Sequence, residues 1–304
     1  MTIKNHQKIC LTVSCCIFVL ALILSLFGHG INEGIDFAGG MAMEYTMGKE
    51  VVQADVEEVF NAMGINAAVT VQGANRDEVN IRIKDIATED VQTIQQRFVE
   101  GISEKYPDVQ QSGEVNYVGP VAGRTLLANA FWSVLIASAL MLVYIAIRFD
   151  LSSGLAAVLG LIHDVLMMLA FMVLLRSIVQ MNSTFIAAML TIVGYSINNT
   201  IVIFDRIREN VKKTPSADRV DVVNRSVKEC LGRTLNTTIT TLITIVALYV
   251  MGVSSIKEFA LPIIVGILSG VYSANMINGY TWALLDERIS SRKKGAKKTS
   301  AVRA

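Results

Sequence analysis

Apolar residues gather into six long runs separated by polar stretches, and this pattern dominates the chain. Each run is nearly free of charge and close to the ~20 residues that a helix needs to cross a bilayer. The runs cover residues 9–27, 126–147, 155–175, 185–204, 234–253 and 259–285. The pattern predicts a polytopic α-helical membrane protein with six transmembrane helices.

Composition supports a membrane protein and gives no sign of a metal or disulfide framework. Hydrophobic residues make up 52% of the 304 residues and charged residues only 17%. The hydrophobic fraction is higher, and the charged fraction lower, than in a typical soluble domain. Cys10, Cys15, Cys16 and Cys230 lack the spacing of paired disulfides or of a zinc site. We therefore expect no bound metal and no cofactor, and we find no residue set typical of an enzyme active site.

The first apolar run resembles a signal peptide in one respect, because Lys4 and Lys8 precede it. Its uncharged length, however, matches a full span, and no small-x-small cleavage site clearly follows it. We interpret residues 9–27 as a retained membrane anchor.

Lysine and arginine residues are distributed unequally between the two sides of the predicted bundle. They concentrate in the amino terminus, in a loop of about 206–233 and in the tail, whereas the opposite short turns hold only Arg176 and Lys257. Basic segments near span ends stay on the cytoplasmic side, so both termini are predicted to be cytoplasmic. The predicted regions are 1–8 (amino terminus), 9–27 (first span), 28–125 (extracytoplasmic domain), 126–285 (bundle of five spans) and 286–304 (basic tail).

Residues 28–125 combine strand and helix patterns. Strands are predicted at 42–45, 67–71, 79–83 and 114–118, and helices at 55–63 and 88–106. Thr88 and Asp90 supply the oxygen atoms expected at the start of the second helix. The order strand–helix–strand–strand–helix–strand is that of the split βαβ fold. We predict an α+β ferredoxin-like domain that works as a binding or lever module.

A glycine-rich motif follows the first run directly and contains Gly34, Asp36, Gly39 and Gly40. Glycine permits positive φ and close backbone approach, so the chain can turn sharply as it leaves the membrane. An ordinary turn explains the spacing equally simply. A dinucleotide site is excluded, because the G-x-G-x-x-G pattern is absent.

The fourth run has a polar centre, with Gly194, Asn198 and Asn199 followed at its end by Asp205 and Arg206. Amides inside a span are costly unless a neighbouring helix satisfies them. They indicate either hydrogen-bonded contact between helices, with close approach at Gly194, or part of an ion or proton path. Asp205 and Arg206 are interpreted as an interfacial pair.

The third run contains an ionisable pair, His163 and Asp164. A charged side chain in a span costs on the order of 3 kcal/mol on insertion scales, so Asp164 is expected to have a partner. Arg233, at the start of the fifth run, is a candidate, although it also suits the role of a basic anchor at the interface. Gly266 and Gly270 in the sixth run predict close helix packing.

Several of these motifs, in this order, resemble the SecF family, the smaller half of the bacterial SecDF protein-export complex. The motifs are residues 34–40, Val118-Gly-Pro120, Leu161-Ile-His163-Asp164, Gly194-Tyr-Ser-Ile-Asn198, residues 204–210 and Arg233-Thr234. The resemblance covers nearly the whole chain. SecF is similar in architecture to half of a resistance–nodulation–division (RND) transporter.

The resemblance implies a multi-pass protein of the bacterial plasma membrane that pairs with SecD. It further implies proton-motive-force-driven help to the SecYEG channel in moving a preprotein outward, with YajC and membrane lipid as further partners. Nucleic acid is not an expected partner, because the basic segments match the pattern of cytoplasmic loops.

The chain departs from the family pattern at one position. The fourth span of the family normally reads Asn-Asp-Thr, with the aspartate in the proton pathway, whereas this chain has Asn199. An amide neither releases nor carries a proton at physiological pH. The family's titrating role does not carry over to Asn199, and Arg233, which matches the arginine proposed to work with that aspartate, lacks its expected counter-charge.

Three functions remain open at this point. The leading hypothesis is an accessory, non-enzymatic subunit of preprotein translocation, with Arg233 and Asp164 as supporting groups in proton coupling. The second is an RND-like transporter half for small molecules or lipids. The third is a structural scaffold of the translocase without ion coupling.

Overall fold

Six helical stretches in the described part of the chain are apolar and long enough to cross a membrane. The computed structural model describes residues 3–302 except 74, 85, 87–89 and 177. Its helices are α1 (Ile3–Leu26), α2 (Ile35–Ala38), α3 (Gln53–Ala62), α4 (Val91–Ser103), α5 (Pro120–Arg148), α6 (Leu151–Leu174), α7 (Ser183–Lys213), α8 (Arg219–Met251), α9 (Ser254–Ser273) and α10 (Gly279–Val302). The candidate spans are α1, α5, α6, α7, α8 and the stretch from α9 into α10. The prediction of a polytopic α-helical membrane protein is confirmed.

The chain forms two compact units. The membrane unit comprises Met1–Asn32, Ser133–Val179 and Thr184–Ala304, and the second unit comprises Glu33–Trp132 and Gln180–Ser183. In the membrane unit, α6 and α7 are about half buried by the rest of the chain, whereas the spans of α1 and α8 are mostly exposed. The central helices are therefore α6, α7 and α9, and the outer helices offer their surfaces to lipid or to another protein.

Close packing between α7 and α9 depends on two glycines of α9. A Cβ atom on Gly266 would lie 2.5 Å from Cγ1 of Ile192, and one on Gly270 would lie 3.1 Å from Cβ of Ser196. Because these distances leave little or no room for a methyl group, the predicted small-residue contact at Gly266 and Gly270 is confirmed. It brings the serine side chains of both helices together.

The sixth span is interrupted near its middle by one π-helical turn. This turn, Ala274–Asn278, joins α9 to α10, and its Asn275 and Asn278 side chains are buried. Asn278 donates from Nδ2 to Oγ1 of Thr200 at 2.9 Å. π-turns of this kind occur frequently at functional sites, and here the turn directs two amides into the bundle.

The predicted loop of about 206–233 is wrong in extent. Helix α7 continues to Lys213 and α8 already begins at Arg219. The charged residues of this stretch stabilise helix ends, since Arg206 bonds Glu229 at 2.6 Å across the two helices. The predicted tail is likewise helical, because α10 runs to Val302. The polar composition of these stretches marks where the helices leave the apolar region, and it does not indicate loop structure.

The second unit contains an antiparallel sheet with the order β2–β3–β1–β4, and β5 also pairs with β1. The strands are β1 (Gly40–Thr46), β2 (Ala67–Gln72), β3 (Glu78–Ile83), β4 (Gln110–Gln111) and β5 (Asn116–Val118). The last strand, predicted at 114–118, is split: only β5 lies within those bounds, and β4, which precedes them, pairs with the same partner. The other three predicted strands are observed with slightly wider bounds.

Helices α3 and α4 pack on the buried face of β1. Alternation along β1 directs Met41, Met43 and Tyr45 inward, as expected when one face of a sheet is covered. The aromatic rings of Phe60 and Phe98 stack with centroids 5.1 Å apart. This apolar contact between helices and sheet gives the unit a core of its own.

The start of α4 differs from its prediction. The helix begins at Val91 rather than at 88, and Asp90 occupies the N-cap position without a side-chain capping bond. Thr88 lies outside the described residues. Asp90 has helical rather than extended backbone angles (φ −88°, ψ −14°), whereas capping side chains usually sit on an extended residue.

Candidate functional site

The glycine-rich motif is a junction between three parts of the second unit. Oδ2 of Asp36 accepts a hydrogen bond from the backbone N–H of Ser183 at 2.9 Å, where α7 begins. The N–H of Gly34 donates to the carbonyl of Met181 at 2.8 Å. An acidic side chain at a helix start satisfies an otherwise unpaired N–H and suits the helix dipole. The motif therefore fixes the first residue of the helix that carries Asn199.

Gly39 and Gly40 supply the backbone freedom expected of the motif, with φ of +82° and +131°. A Cβ atom on Gly39 would lie 3.0 Å from Cα of Pro120, at the start of α5, and one on Gly40 would lie 2.2 Å from the carbonyl oxygen of Ile83. Gly34, by contrast, has an ordinary φ of −72°. Glycine is therefore required at positions 39 and 40, both by the positive φ and by the lack of room for a Cβ atom.

Asp164 lies at the centre of the membrane unit and is completely buried. Its Oδ1 contacts Oγ of Ser269 at 2.8 Å and Nδ1 of His163 at 3.0 Å. Its Oδ2 accepts hydrogen bonds from Ser273 at 2.8 Å and from Ser196. Three hydroxyl donors and one imidazole nitrogen, from three helices, converge on this carboxylate, and an ionised carboxylate offers about four acceptor sites.

His163 extends this cluster to the first span. Its Nε2 lies 2.8 Å from Oγ of Ser14 on α1, and its ring lies edge-on to Phe18 with centroids 5.6 Å apart. His163 and Ser14 are both buried. The predicted ionisable pair of the third span is therefore an actual side-chain contact, held between α1, α6, α7 and α9.

The polar residues of the fourth span face in different directions. Asn199 is buried, with 2% of its surface exposed, and its Nδ2 has no hydrogen-bond partner among the described atoms. Asn198 is exposed, and a Cβ atom on Gly194 would meet nothing within 4 Å. The predicted close approach at Gly194 therefore does not occur within this chain, because Gly194 faces outward.

Arg233 lies on α8 at the level of Asn199 and not beside Asp164. The Tyr195 hydroxyl donates to the Thr237 carbonyl at 3.3 Å, and the Cys230 thiol donates to the Val202 carbonyl at 3.8 Å. Between these two contacts, the antiparallel register sets Asn199 opposite the turn of α8 that contains Arg233. The Arg233 side chain is exposed, and the described partners of the Asp164 carboxylate are His163 and the three serines.

Asp205 and Arg206 do not form the predicted interfacial pair with each other. Asp205 instead contacts Arg148 at 3.4 Å, while Arg206 bonds Glu229 and Glu209. Adjacent residues on a helix point about 100° apart, so each side chain finds a partner on a different neighbour. These contacts join α5 to α7 and α7 to α8 at the ends of the helices.

The serines around Asp164 are the site residues that sequence reasoning missed. Ser14, Ser196, Ser269 and Ser273 come from three distant parts of the chain, and serine in a span is common enough to pass unnoticed. Ser269 and Ser273 are four residues apart and share a helix face, which was the one available signal. Within the described residues, no group of His, Cys, Asp and Glu could hold a metal ion.

Comparisons with known proteins agree with this architecture. The family model "Protein export membrane protein SecD/SecF, C-terminal" matches residues 99–288, and the SecD/SecF GG motif matches residues 24–51. Protein translocase subunit SecF of Alicyclobacillus acidocaldarius is 36% identical over 86% of this chain and 84% of its own length. SecF of Rhodothermus marinus is 36% identical over 95% of this chain and 94% of its own length.

Fused relatives are similar to this chain over part of their length. Protein translocase subunit SecDF of Bacillus subtilis is 34% identical over 86% of this chain and 35% of its own length. The crystal structure of SecDF from Thermus thermophilus, described as a translocon-associated membrane protein, has a TM-score of 0.77 at 31% identity. That match covers 93% of this chain and 38% of the longer one. The chain belongs to the SecD/SecF family of protein export membrane proteins and is of the SecF type.

Proposed function

We propose that this chain promotes proton-motive-force-dependent preprotein translocation as the SecF-type partner of a SecD subunit. Its accessory, non-catalytic role in Sec protein export follows from its family. The observation that supports proton coupling is the buried Asp164, because an ionisable group inside a bundle is retained at a cost and generally serves a function. Proton coupling, the SecYEG channel, YajC and the preprotein are parts of the proposal.

The outward-facing polar side chains of α7 and α8 support a SecD-type partner. Asn198, Arg233 and Thr237 are exposed and Thr241 is half-buried in the isolated chain, although all four belong to segments apolar enough to span a membrane. Polar groups facing lipid are unfavourable unless another helix satisfies them. A second helical bundle packed against this face would supply hydrogen-bond partners for these polar groups. Lipid would cover the apolar surface of α5.

The second unit is proposed to be a ferredoxin-like domain on the extracytoplasmic side of the bacterial plasma membrane. Its order β1–α3–β2–β3–α4, followed by the split last strand, matches the split βαβ connection, and α3 and α4 share one face of the sheet. The basic segments at both termini support a cytoplasmic location for them. In this orientation the domain would meet the preprotein after it leaves the channel.

Position 199 is proposed to take no direct part in proton transfer. Because an amide does not titrate, coupling in this chain would use the carboxylate of the partner, with Arg233 and Asp164 as supporting groups. We expect Asn199→Asp to leave gradient-driven export unchanged within about twofold, and Arg233→Ala to reduce it more than tenfold, since only the second change removes a charge that coupling uses. The measurement is preprotein export into inverted vesicles that contain the SecD-type partner.

Asn198→Asp is the matched control, because it makes the same chemical change on the outward face of the same helix turn. A rise in export with Asn199→Asp alone would show that position 199 is a lost relay, against the proposal. If neither Asn199→Asp nor Arg233→Ala changes export, the ion path itself is refuted.

The transporter alternative finds less support in the membrane unit. An RND-like half for small molecules or lipids needs a passage through the bundle. One apolar cavity in this unit, beside Met168, Phe185 and Pro262, has a volume of about 10 Å³, which is room for about one water molecule and too little for such a passage. The scaffold alternative makes a different prediction, because a scaffold would stimulate export equally without a proton gradient.

A further inference from the structure

We propose that one buried water molecule binds between α6 and α10, where it bridges the side chains of Asn278 and Trp282. The site lies inside the membrane unit, and its existence does not depend on the proposed function. Two buried polar atoms of opposite character indicate it: the amide oxygen of Asn278 accepts hydrogen bonds, and the indole N–H of Trp282 donates one.

Both polar atoms lack a partner from the protein. Asn278 and Trp282 are almost completely buried, with 1% and 4% of their surfaces exposed. Neither Oδ1 of Asn278 nor Nε1 of Trp282 has a hydrogen-bond partner among the described atoms. An unsatisfied polar group in an apolar interior is unfavourable, and buried polar groups that the protein leaves unpaired generally bond ordered water. A ligand that both donates and accepts would satisfy the two atoms together.

The bonds of Thr200 determine which end of the Asn278 amide is free. The Thr200 hydroxyl donates its single proton to the carbonyl oxygen of Ser196 at 3.2 Å, since a carbonyl only accepts. Thr200 therefore accepts from Nδ2 of Asn278 at 2.9 Å, which leaves Oδ1 facing away from it. Water can donate or accept, so a bridge to the indole would also form with the amide in the opposite orientation.

Two contacts fix the register of α10 against α6. Oγ of Ser152 lies 3.4 Å from Oδ1 of Asp286. A Cβ atom on Gly160 would lie 2.2 Å from Oδ1 of Asn278, so the amide occupies the space that a side chain would fill. The two contacts are eight residues apart on each helix, and they set the two helices antiparallel.

Trp282 lies midway between those contacts and therefore faces the residue midway along α6, Ala156. Ala156 is completely buried, and together with Gly160 it presents little bulk opposite the two polar atoms. Side chains of a helix lean toward its N-terminus, so the indole leans toward Asn278, its neighbour one turn earlier. A water placed there accepts from Nε1 and donates to Oδ1, and buried waters typically have two to four such partners.

The polarity of the two atoms selects water over an ion. A cation would meet the N–H of Trp282, and an anion would meet the amide oxygen of Asn278, so each ion would face one group of the wrong polarity. No charged side chain is among the described hydrogen-bond partners of either residue. Because Asn278 is the last residue of the π-helical turn, the water joins the end of that turn to α10.

The direct test is NMR of the full chain, labelled with nitrogen-15 at tryptophan and reconstituted in lipid. The chain has two tryptophans, and Trp132→Phe, a change at an exposed position, leaves Trp282 as the single indole signal. We expect magnetisation transfer from a water proton to this indole N–H, and a Raman band typical of a hydrogen-bonded indole. A free N–H would overturn the inference. A bonded N–H without transfer from water would overturn it as well, because it would indicate a protein acceptor.

Two leucine variants in the Trp132→Phe background identify the second partner of the water. Asn278→Leu removes the amide and should abolish the transfer from water. Asn275→Leu is the same change in the same π-helical turn, at an amide that already bonds Thr234 and the Val271 carbonyl, and it should retain the transfer. Transfer that survives in Asn278→Leu, or that is lost equally in both variants, would contradict a bridge through Asn278. These readouts do not involve export, so either result leaves the proposed function unaffected.

Discussion

Replacing Asp164 by alanine should lower the free energy of unfolding by about 3–5 kcal/mol, because several buried donors lose their shared acceptor and each unsatisfied group costs about 1–3 kcal/mol. The change deprives Ser196, Ser269 and Ser273 of their shared acceptor and leaves Nδ1 of His163 without its partner. Each of these groups is buried, so water does not replace the lost oxygen atoms. Thermal unfolding of the purified chain in a fixed detergent measures the effect.

Asp164→Asn is the matched control for that loss. Asparagine has nearly the same shape and keeps one oxygen acceptor, although it carries no charge. We expect it to be destabilised by roughly half as much as the alanine variant, since part of the hydroxyl bonding survives. An alanine variant within about 1 kcal/mol of the unchanged protein, less than one net hydrogen bond to a charged group, would contradict the bonded cluster around Asp164.

Gly40→Ala should destabilise the second unit by about 3 kcal/mol or more, because strain and a steric clash combine. The backbone at Gly40 has a φ of +131°, and an added Cβ atom would lie 2.2 Å from the carbonyl oxygen of Ile83 on β3. The register of β1 on β3 must shift locally to relieve that contact. Hydrogen exchange of β1 amides in the full chain reports the loss.

Gly64→Ala separates strain from clash. Gly64 also has a positive φ, +72°, but a Cβ atom there would meet nothing within 4 Å. It should cost only the ~1–2 kcal/mol of the left-handed backbone conformation. Equal effects of the two substitutions would show that the contact with Ile83 is not responsible.

The sequence allowed the large features to be predicted because each leaves a repeating signal. Six apolar runs indicate six spans, and the alternation along β1 gives both a strand and its buried face. β4 consists only of Gln110 and Gln111, two exposed polar residues. Its pairing with β1 is a tertiary contact that no local sequence pattern predicts. The same limit explains the helix ends, since α7 and α8 are prolonged by ion pairs between them.

The candidate site was predictable only in part. His163 and Asp164 stand out because ionisable residues are rare within apolar runs. Their partners are serines on other helices, and their convergence depends on the packing of α9 against α7 at Gly266 and Gly270. The sequence also does not predict in which direction a residue of the fourth span faces. Asn198 and Asn199 are adjacent and have the same side chain, yet Asn198 is exposed and Asn199 is buried.

We propose above all that this SecF-type chain makes export depend on the proton gradient. The most direct measurement compares preprotein export into inverted vesicles that hold SecYEG and the SecD-type partner, with and without this chain, before and after an uncoupler dissipates the gradient. We expect the chain to stimulate export and the uncoupler to remove the stimulation. Stimulation that persists at the same level after the gradient is gone would contradict it and identify a scaffold.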